Sequence, residues 1–163
     1  IGRLVAAVGA RADVGAGTVL TAAQVRAVAA AGARFVVAPN TDAEVIRAAG
    51  AVGLEAWPGA FTASECFAAI HAGATGLKLF PASVLGPAGI KALKAVLPAD
   101  VPVYAVGGVE ADDVAAYAAA GCDGFGIGSG LYAPGRAVDD VAARARALVA
   151  AHDAVFAAAE PRR

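Results

Sequence analysis

Residues 13–59, DVGAGTVLTAAQVRAVAAAGARFVVAPNTDAEVIRAAGAVGLEAWPG, decide the fold. Short apolar or glycine-rich runs at residues 13–18, 34–39 and 54–58 alternate here with two alanine-rich stretches of helical character. Outward from this segment the same run recurs at 76–80, 102–107 and 124–128. Counted from Val14, Phe35, Glu55, Gly76, Val103 and Gly124, the steps are 21, 20, 21, 27 and 21 residues. After each run comes a loop and then an amphipathic helix. The first five helices are predicted to begin near Thr21, Asp42, Thr62, Pro87 and Glu110, and the last to run from near Val138 to about Ala159. Thr21, Thr62 and Ser64 are candidate N-cap residues, because their hydroxyls can accept an unpaired N–H of the first turn. Gly32, Gly53, Gly73 and Gly121 stand just past helix ends, where a left-handed residue closes the last turn.

Strand–helix alternation at this spacing means right-handed βαβ units and a parallel α/β sheet. The near-equal steps favour a (β/α)8 TIM barrel over a doubly wound sheet. Ile1, Leu4, Val5 and Val8 fall at i, i+3, i+4 and i+7, one face of a helix, with no capping residue before them. The expectation is a single barrel domain over 1–163 that is truncated at its N-terminus and ends in a helical tail at 151–163. Strands 3 to 8 and their helices would then be present.

Hydrophobic residues make up 59% of the 163 positions and charged residues 17%, with a net charge of −1. This excludes a disordered chain and, lacking any basic stripe, argues against nucleic-acid partners. The longest stretch without a charged residue is twelve positions, for example 14–25. A membrane span needs about twenty apolar residues, so no membrane association is expected. Cys66 and Cys122 have no metal-ligand spacing, and free thiols in a reducing cytoplasm are the plain reading.

The chemistry concentrates in three places. GAGTVL at 15–20 gives G-x-G but places Leu20 where a dinucleotide fingerprint needs its third glycine. The fifth and sixth runs end in Gly107-Gly108 and in Gly126-Ile127-Gly128-Ser129-Gly130. Absent side chains let backbone N–H groups close on an anion, and barrels commonly bind phosphate after strands 7 and 8; tight turns alone are the other explanation. In Gly76-Leu77-Lys78-Leu79-Phe80-Pro81, alternation turns Leu77 and Leu79 toward the helices and Lys78 and Phe80 toward the interior. A desolvated ammonium loses its proton more easily, and the neutral amine can form a Schiff base with a carbonyl. A shifted register would instead let Lys78 snorkel into solvent. Lys91 and Lys94 at i, i+3 read as a solvated helix face, and His71 and His152 as surface or helix-end residues.

GAGTVL, Pro39-Asn40, Trp57-Pro58-Gly59, LKLFPAS at 77–83, GPAGIKALKAVLP at 86–98, AVGGV at 105–109 and GIGSGLY at 126–132 together resemble the class I keto-deoxy-phosphogluconate/phosphogalactonate aldolase family, over residues 1 to about 150. The segments 86–98 and 105–109 look more like the phosphogalactonate branch; the gluconate branch more often has threonine where Val106 stands.

The resemblance implies that Lys78 forms an iminium at the C2 ketone of a phosphorylated keto-sugar acid. Carbon–carbon cleavage then yields pyruvate and glyceraldehyde 3-phosphate. It implies that Phe80 packs beside the imine, Thr18 binds the carboxylate, Pro39 and Val106 shape the pocket, and Ser83 assists. Backbone N–H groups of Gly107, Gly108, Gly128 and Ser129 would hold the phosphate. It implies no cofactor and no metal, a cytoplasmic enzyme and a homotrimer, for which Phe61, Phe67 or Trp57 could supply interface surface. The resemblance implies that the acid/base glutamate lies on strand 2 and a site-lining arginine on strand 1, both expected before Ile1. A chain of these residues alone is therefore expected to leave the barrel open and to be nearly inactive. The rival readings are a phosphate-binding epimerase or thiamin-phosphate-synthase-like barrel, and an inactive fragment.

Overall fold

The computed structural model describes residues 1–156; the last residues of the expected helical tail, 157–163, lie outside them. The chain forms two compact units, residues 1–78 with 97–102, and residues 79–96 with those from 103 onward.

The first unit begins with helix α1 (Gly2–Val8), as the apolar spacing from Ile1 predicts. Then follow β1 (Gly15–Gly17), α2 (Ala22–Ala30), β2 (Phe35–Val37), α3 (Ala43–Ala51), β3 (Glu55–Trp57), β4 (Gly59–Ala60), α4 (Ala63–His71) and β5 (Leu77–Leu79), within which the unit boundary falls. Strands β1, β2 and β3 pair in parallel with Gly15 opposite Phe35 and Phe35 opposite Glu55. The pairing of Phe35 with Glu55 is the step read from the sequence, whereas Gly15, not Val14, stands opposite Phe35, one residue off the sequence count. Pro58 separates β3 from β4, because its ring removes the N–H that a continuous ladder would use.

The helix starts follow the caps. Thr21 accepts from the Gln24 N–H, and Asp42 from the Glu44 and Val45 N–H groups. Thr62 and Glu65 form a reciprocal capping box. Ser64, the other candidate cap of this helix, lies inside α4 instead. Thr62 holds the extended backbone that an N-cap requires, and Ser64 is already helical. Gly32, Gly53 and Gly73 have φ of +86°, +73° and +93° at the helix ends. Val36, Ile46, Ala49, Ala56, Cys66 and Leu77 form the core.

The second unit contains α5 (Ala82–Lys94), β6 (Val103–Val106), a 3-10 turn at Ala111–Asp113, α6 (Val114–Ala119), β7 (Gly124–Gly126) and α7 (Val138–Phe156). Strands β6 and β7 are parallel, with Tyr104 opposite Gly124. Helix α5 is two helical pieces joined at Gly86, whose φ of +67° and ψ of +166° are not helical. The expected start at Pro87 is the second piece, where proline's fixed φ suits the first turn. The preceding turn from Ala82 has no side-chain cap to announce it. Likewise the 3-10 turn takes up the first three residues of the helix expected from Glu110.

Lys94 corrects another expectation. It is not a solvated residue: its side chain is only 19% exposed and its Nζ lies 3.2 Å from Asp123 Oδ2. That same oxygen accepts the Val103 N–H at 2.9 Å, so the pair ties the starts of β6 and β7 together.

Candidate active site

In the first unit, the candidate residues Thr18 and Pro39 stand just past the ends of β1 and β2, and Lys78 is the central residue of β5. Leu77 and Leu79 are fully buried, whereas Lys78 between them is half-buried. The alternation therefore separates Lys78 from the leucines as the sequence requires. Its backbone N–H donates to the Pro58 carbonyl at 3.0 Å, fixing the strand register. Burial lowers the pKa of the Lys78 ammonium from its ordinary value, because a low-dielectric surround disfavours the charged form. The amine is thereby moved toward the nucleophilic, neutral state.

Thr18 directly follows β1 and has φ of +57°. A β-branched residue in the left-handed region is strained, typically by about 1–3 kcal/mol. Such strain persists only when surroundings hold it, here through the Val19 N–H bonded to the Val37 carbonyl. The sequence offered no signal for this geometry, since a positive φ is expected first at the preceding Gly17. Pro39 is exposed after β2, and its carbonyl presses on the α-carbon face of Gly59, leaving no room for a side chain there. The Thr41 hydroxyl donates to the Gly59 carbonyl at 2.9 Å, closing the loop against the next strand.

In the second unit, Phe80, Ser83, Gly107 and Gly108 form one cluster. Gly107 and Gly108 have φ of +94° and +75°. A β-carbon on Gly107 would lie 3.0 Å from the Phe80 ring, and one on Gly108 would lie 2.7 Å from Ser83 Cβ. The Ser83 N–H donates to the Gly107 carbonyl at 3.0 Å. The two glycines are thus required both by backbone conformation and by close approach. Val106 pairs in register with Gly126. Beyond β7, Gly128 and Ser129 are exposed, and the Gly128 carbonyl accepts the N–H groups of both Leu131 and Tyr132 at 3.0 Å. This unit therefore pairs two strands, each leading into a glycine-rich turn, and sets the Ser83 hydroxyl against the first of these turns.

Many carboxylates of the chain are committed to structure. Asp13 pairs with Arg34, Glu55 accepts from Trp57 Nε1, Asp42 and Glu65 cap helices, and Asp123 and Asp140 bind basic side chains. Among the described residues no group of three or more His, Cys, Asp or Glu side chains could hold a metal ion. His71 lies beside Phe67 at the end of α4, and His152 beside Asp153 and Phe156 on α7. Cys66 and Cys122 are buried free thiols whose pKa burial pushes up to about 11. No described helix is long and apolar enough to cross a membrane.

A parallel α/β chain whose strands lead into glycine-rich turns has the architecture of the aldolase class of lyases. The family model for KDPG and KHG aldolases matches residues 3–143, and the chain belongs to this family. It is 53% identical over 143 residues to the probable 2-dehydro-3-deoxy-6-phosphogalactonate aldolase of Rhizobium meliloti (strain 1021), covering 88% of this chain and 68% of that protein. It is 49% identical over 149 residues to the 2-dehydro-3-deoxy-6-phosphogalactonate aldolase of Escherichia coli (strain K12), covering 91% and 73%. The solved structure described as native KDPGal superposes with a TM-score of 0.93 at 48% identity, covering 95% of this chain and 75% of that one.

Proposed function

We propose that this chain carries the Schiff-base and phosphate-binding machinery of a class I aldolase that cleaves 2-dehydro-3-deoxy-6-phosphogalactonate to pyruvate and D-glyceraldehyde 3-phosphate. The observation that carries the reading is the half-buried amine of Lys78, set between two fully buried leucines and shifted toward neutrality, in a chain of this aldolase family.

The neutral Lys78 amine attacks the C2 ketone, and loss of water gives an iminium. Its positive nitrogen draws in the electron pair of the C3–C4 bond as the C4 hydroxyl gives up its proton. Glyceraldehyde 3-phosphate leaves, and the pyruvate enamine takes a proton at C3. Water then releases pyruvate and restores the amine. In this reading Thr18 binds the carboxylate, Pro39 and Val106 shape the wall, Phe80 excludes water from the imine, and Ser83 lies at the phosphate end. The N–H groups of Gly107, Gly108, Gly128 and Ser129 hold the phosphate, as charge-assisted bonds from backbone donors do. The committed carboxylates of this chain leave the proton transfer at C4 to a group other than these.

The test is incubation of the chain with pyruvate and borohydride, followed by peptide mapping. A reduced adduct on Lys78, absent from Lys78→Arg, is the expected result. An unmodified Lys78 overturns the reading. Preference for the galacto over the gluco configuration is read by comparing cleavage of the two C4 epimers.

A further inference from the structure

A glycine-rich turn is a poor anion site unless something fixes the direction of its peptide planes, since glycine gives up more conformational freedom than any other residue on being ordered. The turn after β7 has such a fixture. Arg136 Nη1 donates to the Ser129 carbonyl and to the Gly130 carbonyl, each at 3.1 Å. Its Nε lies 3.4 Å from Asp140 Oδ2, one helical turn onward, and the Arg136 side chain is only 19% exposed. Arg144 reaches the same two groups, with Nε 3.1 Å from Asp140 Oδ2 and Nη1 3.3 Å from the Gly130 carbonyl. Together with the Gly128 carbonyl, which accepts from Leu131 and Tyr132, three successive carbonyls are pinned.

Because the peptide unit is planar and trans, each pinned carbonyl turns the N–H of the next residue the opposite way. Pinning the Gly128 and Ser129 carbonyls therefore aims the N–H groups of Ser129 and Gly130 to the side away from their partners. We propose that Arg136 is a positioning residue: it pre-orients the Ser129 and Gly130 N–H groups for the substrate's phosphate without touching the phosphate itself. This rests on the reading that the turn after β7 binds that phosphate, and it adds the Gly130 N–H to the cradle. Arg136 acts through its fork. A guanidinium can hold two carbonyls and a carboxylate at once, whereas a lysine ammonium is a point charge without that geometry. A further charged group near the turn is Glu110, whose Oε1 lies 3.3 Å from the β-carbon position of Gly130. Its negative charge opposes an anion, so charge alone does not make this turn a phosphate site.

The experiment measures, on the full chain, the affinity for inorganic phosphate and for glyceraldehyde 3-phosphate by calorimetry, alongside borohydride trapping of pyruvate at Lys78. Arg136→Ala is expected to weaken both phosphate ligands about tenfold or more, equivalent to about 1.4 kcal/mol, with pyruvate trapping unchanged. Arg136→Lys keeps the charge but not the fork, and is expected to weaken them nearly as much. If Arg136→Lys binds phosphate as wild type does, attraction by charge explains the effect and the positioning role is wrong. Equal affinity in wild type and Arg136→Ala overturns it as well. A wild-type chain that traps pyruvate but binds no phosphate removes the cradle and this inference together, leaving the lysine chemistry standing. A chain that binds phosphate but traps no pyruvate removes the aldolase reading and leaves the comparison of variants valid. Should Arg136→Ala fail to fold, as read by its thermal melt, Arg136→Lys decides alone.

Discussion

Gly108→Ala separates backbone strain from steric overlap at the candidate phosphate turn. Gly108 has φ of +75°, and alanine in the left-handed region costs roughly 1–2 kcal/mol. The new methyl would also sit 2.7 Å from Ser83 Cβ and 2.8 Å from Ser83 Oγ. Cβ cannot rotate away, and Ser83 is tied to Gly107 through its N–H at 3.0 Å. Overpacking of this kind typically adds about 1–3 kcal/mol. The total is about 2–5 kcal/mol if nothing moves, and part of it is relieved by displacing the turn. Gly53→Ala is the matched control: its φ is +73°, with no atom near the added methyl. The control should lose only the conformational part, about 2–8 °C in melting temperature at 2–4 °C per kcal/mol. Gly108→Ala should melt lower than Gly53→Ala. It should also weaken inorganic phosphate by about tenfold or more, the loss of one hydrogen bond to a charged group at about 1.5–3 kcal/mol. Calorimetry and thermal denaturation read both quantities. A Gly108→Ala chain that melts with the control and binds phosphate like wild type would refute the assignment of that turn.

Three further outcomes follow from β5. Trapping of pyruvate at Lys78 requires the neutral amine, so its rate should rise with pH to a midpoint below the ordinary lysine value of about 10.4, as burial directs; a midpoint at the value of free lysine contradicts the placement. The same shift makes protonated Lys78 a cost to the fold, so its contribution to stability improves as pH rises from the folded pKa toward the unfolded one. Lys78→Met should remove that rise, seen as a flatter dependence of melting temperature on pH. Leu79 is fully buried, and Leu79→Ala should destabilise by about 2.7–5.0 kcal/mol, in the range of measured core truncations; a urea titration showing under about 1 kcal/mol would place Leu79 at a surface instead.

Much of the local structure could be read directly from residue order. Thr21, Asp42 and Thr62 start their helices because each has a short acceptor side chain able to reach the first-turn N–H groups. Gly32, Gly53, Gly73 and Gly121 end theirs because each takes positive φ. Ser64 misled because capping depends on backbone conformation one or two residues away, which residue type alone does not settle. Lys94 misled because Asp123 stands 29 positions further on, beyond any helical spacing rule. The kink at Gly86 was half visible: Pro87 marks a helix start, but the turn before it has no cap.

The sequence by itself determined the parallel α/β class, the recurrence of a strand about every twenty residues and the presence of a lysine on one of them, because periodicity, caps and turn glycines act over a few residues; the exact register came only with strand pairing. The tertiary structure alone decided how far Lys78 is desolvated, that Thr18 bears a left-handed strain, that Ser83 abuts Gly108, and that Arg136 clamps the carbonyls of the last glycine turn. Each of these depends on contacts made only once the strands have paired. Burial and a peptide's direction are properties of the surrounding atoms, and no local pattern of residue types encodes them.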